Sequence, residues 1–317
     1  PSIVYKAMLA PDDLAAYCAY FRDPRCVSRF AVFHQRFSTN TSATWRLVQP
    51  FRHVAHNGEF NTIEGNRAWL RARGVPVPPG GSDSHDFNIA VDAMLDAGCP
   101  VDDAVDLLLG AAVEAGDERL RAYYDAHLPT IEHWDGPAAI VFYHKGVLGA
   151  ALDRSGFRPL RWSRTRSGKV LAASEAGVVD FGDDPIVERG RLGPGERLVV
   201  DLARGEVTSP AEFRRTRRDG ADYRATVRAW RFETPSARPV ERDAALADLR
   251  RFAFAAEDVK DVVHVMASGA GEPVSSMGDD AAPAFLQGGA PVHAYLRQRF
   301  AQVTNPPIDP LREALVM

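Results

Sequence analysis

The period of the apolar residues changes three times along this chain, and the order of those changes limits the architecture more than any single motif. From residue 137 to 208, "PAAIVFYHKGVLGAALDR", "GKVLAASEAG" and "ERLVVDLARGEVTS" alternate or run apolar and read as strands joined by short turns, among them His144-Lys145-Gly146. The reading is an antiparallel meander. Between residues 61 and 131 the spacing is helical: "NTIEGNRAWLRARG" stopping at Gly74, "NIAVDAMLDAG", "VDDAVDLLLGAAVEAG" and "ERLRAYYDAHLPTI". Ahead of them, "SIVYKAML", "SRFAVFHQRFS" and "FRHVAHNGE" read as strands, with a helix over "PDDLAAYCAYF". Beyond residue 210 the chain turns Arg-rich and helical again. Strands, then helices, then strands exclude the alternating βα order of a doubly wound sheet. The pattern predicts an α+β fold, an antiparallel sheet core covered by helices. A domain boundary near 210 separates residues 1–210 from a helical stretch, 211–317.

Three polar clusters interrupt these runs. His34, Arg36, Ser38 and Thr39 end the second run, and a guanidinium at a strand mouth suits a carboxylate, though an internal salt bridge explains it equally. His56-Asn57-Gly58-Glu59 ends the third. A Gly N–H and an Asn amide can converge on one oxygen as an oxyanion hole, and Asn-Gly is also a plain turn signal. Asp83, in "GGSDSHDF", can cap a helix or hold an ammonium. An Arg for a carboxylate, an Asp for an ammonium and two donors for an oxyanion together suit an α-amino acid with a reacting side-chain carbonyl, and glutamine is the natural candidate.

The chain has 317 residues and a net charge of -4, which gives no electrostatic reason to expect nucleic acid. No apolar run approaches the ~20 residues of a membrane span. Three cysteines, Cys18, Cys26 and Cys99, at unrelated spacing argue against a disulfide framework or a zinc site and suit a reducing cytoplasm. His53 and His56 would face opposite sides of a strand, so no metal is expected.

The same residues carry a family resemblance. "HQRFSTNT", "HNGEFNTIEGNRAWLRAR", "GSDS", "HWDGPAAIVF", "LDRSGFRPLRW", "AASEAGVVDF" and "RGRLGPGERLVVD" resemble the class II glutamine amidotransferase domain of glutamate synthase large chains. "GAGEPVSSMGDDAAPAFL" and "RFAQVTNPPIDPLREALV" resemble the connector into that family's central domain. The resemblance implies a four-layer αββα sandwich of the N-terminal-nucleophile hydrolase type, followed by a helical connector. It implies hydrolysis of glutamine to glutamate and ammonia, which a flavin site elsewhere adds to 2-oxoglutarate. Carried over by position, Arg36 binds the glutamine α-carboxylate, Asp83 the α-ammonium, and Asn57 and Gly58 form the oxyanion hole. His34, Ser38 and Thr39 shape the pocket, with Arg154 and Arg158 near the site rather than in the chemistry. No cofactor is expected in this chain. FMN and an iron–sulfur cluster are expected in the rest of the enzyme, as are the remaining glutamate synthase segments or a complementing chain and an electron-donating small subunit.

Three departures stand out. Ser155-Gly156-Phe157 replaces the family's usual Asn-Gly-Leu, and the loop before Asp83 is short. The family's nucleophile is a Cys at the very N-terminus, whereas this chain opens on Pro1. A terminal Cys supplies a thiol and, through its α-amine, a base near neutral pH. The expectation is therefore a domain lacking its N-terminal part and an isolated chain without glutaminase activity. The alternatives are a non-catalytic glutamine-binding remnant or a split subunit completed by a partner.

Overall fold

A computed structural model describes residues 3–36, 44–61, 63–114, 116–230, 242–251, 254, 256 and 259–269. The described residues up to 229 form one compact unit and those from 230 another.

In the first unit, β1 (Val54–Gly58), β2 (Ala138–His144), β3 (Val147–Leu152), β7 (Arg197–Asp201) and β8 (Glu206–Thr208) form one antiparallel sheet in that order. Between β3 and β7 the chain leaves to build a second antiparallel sheet, ordered β5 (Val170–Ala173), β4 (Arg161–Thr165), β6 (Ile186–Arg191). The single meander expected from sequence is thus two sheets.

Strand alternation sends each face of the large sheet to a different partner. Val54, Ala138, Ile140, Phe142, Ala151 and Val199 share a core with Leu70, Phe87, Val91, Val105 and Leu109 of the helices. Ala139, Ala150, Leu152 and Leu198 meet Leu160 and Leu192, with Trp162, Val170 and Ala172 packed against them from the small sheet. The described residues therefore stack a helical layer and two sheets, an α+β arrangement.

The helices are α1 (Leu14–Tyr17), α2 (Glu64–Ala72), α3 (Asp83–Asp96), α4 (Val101–Leu109), α5 (Glu118–His127), α6 (Pro210–Asp219) and α7 (Arg224–Trp230). α3 is capped by Ser82, whose Oγ accepts the His85 N–H at 3.2 Å, so Asp83 occupies the first helical position with its carboxylate free for other partners. α4 stops at Leu109 instead of running to residue 116. The Arg197 guanidinium, 1% exposed, donates to the carbonyls of Gly110 (2.6 Å) and Asp106 (3.4 Å), which end the helix. Its Nε lies 3.3 Å from the buried Asp106 carboxylate, which also accepts the Tyr124 hydroxyl. α6 contributes the buried Phe213 to the helical core and sets Arg217 against Asp102 and Asp103.

Two expected strands do not form. Residues 3–8 and 28–36 have no ladder partner, and Ile3, Met8, Val27 and Phe33 are exposed. Among the described residues the outer edge of β1 is met by a side chain, not by a strand. Gln49 accepts the His56 N–H at 2.5 Å and donates to the His56 carbonyl at 2.8 Å, as a neighbouring strand would.

The second unit holds α8 (Arg242–Arg251), a π-helical turn (Val259–Val263) and α9 (His264–Ser268).

Candidate active site

The β1 strand ends in His56-Asn57-Gly58, opposite Ile140, Ala139 and Ala138 of β2. Two further backbone bonds extend the ladder, Glu59 N–H to the Pro137 carbonyl (2.9 Å) and Asn61 N–H to the Asp135 carbonyl (2.8 Å). The two chains approach too closely for side chains. Gly58 has φ 146, and a Cβ there would lie 1.8 Å from the Pro137 oxygen. Gly136 has φ 139, and its Cβ would lie 2.2 Å from the Glu59 oxygen. Glycine at both positions lets the corner close.

His56 points into the helical layer and is fully buried. Its Nδ1 lies 2.7 Å from the Ser84 hydroxyl and 3.9 Å from the Asp83 carboxylate, and its ring stacks on Phe60 at 4.6 Å. Burial drives its pKa down to about 4, against the opposing pull of Asp83 and of the Pro137 carbonyl, with His34 and Arg158 adding to the fall. Its Nε2 faces that carbonyl without a hydrogen bond of normal geometry. His56 is therefore a neutral ring that fixes the helix start to the strand.

Asp83 reaches the same corner. Its Oδ2 accepts the Phe60 N–H at 2.8 Å and its Oδ1 lies 3.3 Å from the Ser84 hydroxyl. Asn57 faces away from His56, and its Oδ1 accepts Nη2 of Arg158 at 2.6 Å. Arg158 comes from the loop after β3, folded around one buried carboxylate. Asp153 accepts the N–H groups of Ala138 (3.0 Å), Ser155 (3.0 Å), Phe157 (3.1 Å) and Arg158 (3.4 Å). Burial pushes this carboxyl up and the four donors oppose that. Arg154 turns outward to Asp135 at 2.6 Å.

Of the residues expected from sequence, the structure gathers Asn57, Gly58, Asp83 and His34. The His34 ring spans the Arg36 carbonyl (2.9 Å) and the His56 carbonyl (3.1 Å), tying the first cluster to the end of β1. The Arg36 side chain itself is exposed. Ser38 and Thr39 lie outside the described residues. Sequence reasoning missed Gln49, Ser84, Asp153 and the Arg158–Asn57 contact. An Asp two residues before Ser-Gly at a strand end is a recognisable turn signal, but nothing local reports the contact. Among the described residues no three His, Cys, Asp or Glu side chains come together as a metal site. No described helix is long and apolar enough to cross a membrane.

The arrangement places a side-chain amide, a tight glycine corner and a carboxylate near one strand end, groups that can bond a polar ligand. Comparison with known proteins places the chain among two described families. The family model for glutamate synthase central domains matches residues 247–317. The ferredoxin-dependent glutamate synthase of Spinacia oleracea is 36% identical over 344 aligned positions, covering 100% of this chain and 21% of that protein. The large chain of the NADPH glutamate synthase of Azospirillum brasilense is 34% identical over 352 positions, covering 100% and 23%. The chain thus spans about a fifth of the length of the curated relatives it matches. A glutamine phosphoribosylpyrophosphate amidotransferase from B. subtilis overlaps 53% of this chain and 32% of its own at 19% identity and a TM-score of 0.37, too partial to bear on the fold. The family model for class-II glutamine amidotransferases matches residues 1–226, and the chain belongs to that family.

Proposed function

We propose that this chain performs the glutamine-hydrolysing half of a glutamate synthase reaction. Glutamine lies at the end of β1, with its α-carboxylate on Arg36 and its α-ammonium on Asp83. Its side-chain oxygen lies in the corner of Asn57 and Gly58, with His34 beside the pocket. Attack by a thiolate on the amide carbon gives a tetrahedral oxyanion. The C–N bond then breaks, ammonia leaves with a proton from the base, and water hydrolyses the thioester to glutamate. Asn57 and Gly58 act on the oxyanion, so their contribution falls on kcat more than on KM.

The observation that carries the proposal is that Asn57 and Gly58 end β1 while the Asp83 carboxylate bonds the Phe60 N–H just beyond the glycine. Cys99 is an unsuitable nucleophile, because burial and the nearby Asp103 and Asp102 push its thiol up to about 11. Cys26 sits against the Tyr20 hydroxyl, and Cys18 caps the short α1. The reaction draws its thiol from elsewhere.

In the whole enzyme the ammonia would go to 2-oxoglutarate at an FMN and iron–sulfur centre, with an electron donor that the relatives' names divide between ferredoxin, NADH and NADPH. No step here runs through either group. Residues 1–210 would be the amidotransferase domain and 211–317 the connector and start of the central domain. Three unpaired cysteines suit the cytoplasm or another reducing compartment.

Ammonia release from glutamine by the protein together with the segment or partner that supplies the thiol tests the proposal. Asn57→Ala should cost about 10²–10³-fold in kcat, the usual worth of one oxyanion donor. Unchanged kcat would overturn it.

A further inference from the structure

An asparagine amide has a donor end and an acceptor end, and only one orientation helps an oxyanion. At Asn57 the choice is made by Arg158. A guanidinium carries donors and no acceptor, so the end that faces Nη2 at 2.6 Å must be Oδ1. The N–H₂ end is thereby turned to the other side. Rotating the amide by half a turn would set two donors against each other and aim an oxygen lone pair at the developing negative charge.

Arg158 is held for this task from both directions. Its own peptide N–H and those of Ser155 and Phe157 are gathered by the Asp153 carboxylate, which is 3% exposed. The same carboxylate accepts the Ala138 N–H, and Ala138 is the ladder partner of Gly58. One buried acid thus references both Asn57, through Arg158, and Gly58, through β2. Among the described residues the buried Nε of Arg158 has no hydrogen-bond partner.

We propose that Arg158 is a positioning residue for glutamine hydrolysis. It locks the Asn57 amide with its N–H groups toward the reacting oxygen and, as a cation on Oδ1, makes them stronger donors. The inference rests on the reading of Asn57 as an oxyanion donor. The effect belongs to the transition state, so it falls on kcat.

Steady-state glutamine hydrolysis by the intact protein tests it, with melting temperature as the folding check. Arg158→Met should lower kcat about tenfold to a hundredfold with KM within about threefold. Arg158→Lys should recover most of the loss, because an ammonium is also donor-only and selects the same orientation. Asn57→Asp keeps the contact with Arg158 and loses the donor, so it should fold and lose kcat as Asn57→Ala does. In the Asn57→Ala background, Arg158→Met should cost nothing further. If the Met variant does not fold, Arg158→Gln replaces it, since an amide with both ends selects neither orientation. Three results overturn the inference alone: kcat within twofold in Arg158→Met while the Asn57 variants fail, a full additional loss in the Asn57→Ala background, or no rescue by Lys. Normal kcat in the Asn57 variants, or no ammonia release by the wild type in the presence of the segment or partner that supplies the thiol, overturns the underlying reading as well.

Discussion

One added methyl group at Gly58 should unseat the corner on which the site is built. The Cβ of Gly58→Ala would lie 1.8 Å from the Pro137 oxygen, 2.8 Å from its carbonyl carbon and 2.9 Å from Nε2 of His56. Two of those atoms are backbone and the third belongs to a fully buried ring, so none yields cheaply. Separation would break the Glu59 N–H bond to Pro137, now 2.9 Å, worth about 1 kcal/mol. An L residue at φ 146 adds about 1–3 kcal/mol of backbone strain, and forced overpacking typically costs about 1–3 kcal/mol. The total is of order 4 kcal/mol, a large share of the roughly 5–15 kcal/mol that holds a domain together. Gly65→Ala is the control. It makes the same chemical change in the first turn of α2, where nothing lies within 4 Å, and should be neutral or stabilising by up to about 1 kcal/mol. Urea titrations of both variants give the comparison. A Gly58→Ala protein within about 0.5 kcal/mol of the Gly65→Ala protein would refute the close-approach argument.

Other expectations concern the groups around that corner. His56 has a folded pKa of about 4, below the ~6.5 of the unfolded chain, so the unfolded state takes up the proton first. Its contribution is fully present above pH ~6.5 and is lost as pH falls toward 4, up to about 3 kcal/mol. Denaturation midpoints of wild type and His56→Gln across that window should diverge, and parallel curves would exclude the buried neutral ring. Arg197→Met strands the Asp106 carboxylate and the carbonyls of Gly110 and Leu152, and should destabilise by about 3–5 kcal/mol in urea titration. A loss under 1 kcal/mol would mean that the pair is dispensable. Asp83→Asn keeps an acceptor for the Phe60 N–H but loses the charge. It should raise KM for glutamine about tenfold or more while leaving the melting temperature nearly unchanged. An unaltered KM would remove Asp83 from the pocket.

Legibility in the sequence followed the physics of burial. β2, β3 and β7 could be read because both of their faces are covered, one by helices and one by the small sheet, which leaves apolar runs in the chain. β4 and β6 were missed. "RWSRT" and "IVERGR" carry the charges of a half-covered, outer sheet and resemble loop. Residues 3–8 and 28–36 misled in the opposite sense. They alternate as strands do, but alternation reports a face and not a partner, and the free edge of β1 is occupied by the Gln49 amide. At the site, Asn57-Gly58 and Asp83 were visible because their chemistry is local. The Arg158–Asn57 bond joins residues 101 positions apart, and no spacing along the chain announces it. His56 was read as half of a histidine pair on a strand. Its burial against Ser84 and Phe60 depends on where α3 begins, which sequence alone does not place against β1.

The most direct measurement is a crystal structure of the chain with glutamine or glutamate bound. The account predicts one molecule spanning Arg36 and Asp83, with a side-chain oxygen within hydrogen-bonding distance of the Asn57 amide nitrogen and the Gly58 N–H. A ligand seated elsewhere, or one whose side chain points away from that glycine, would contradict it.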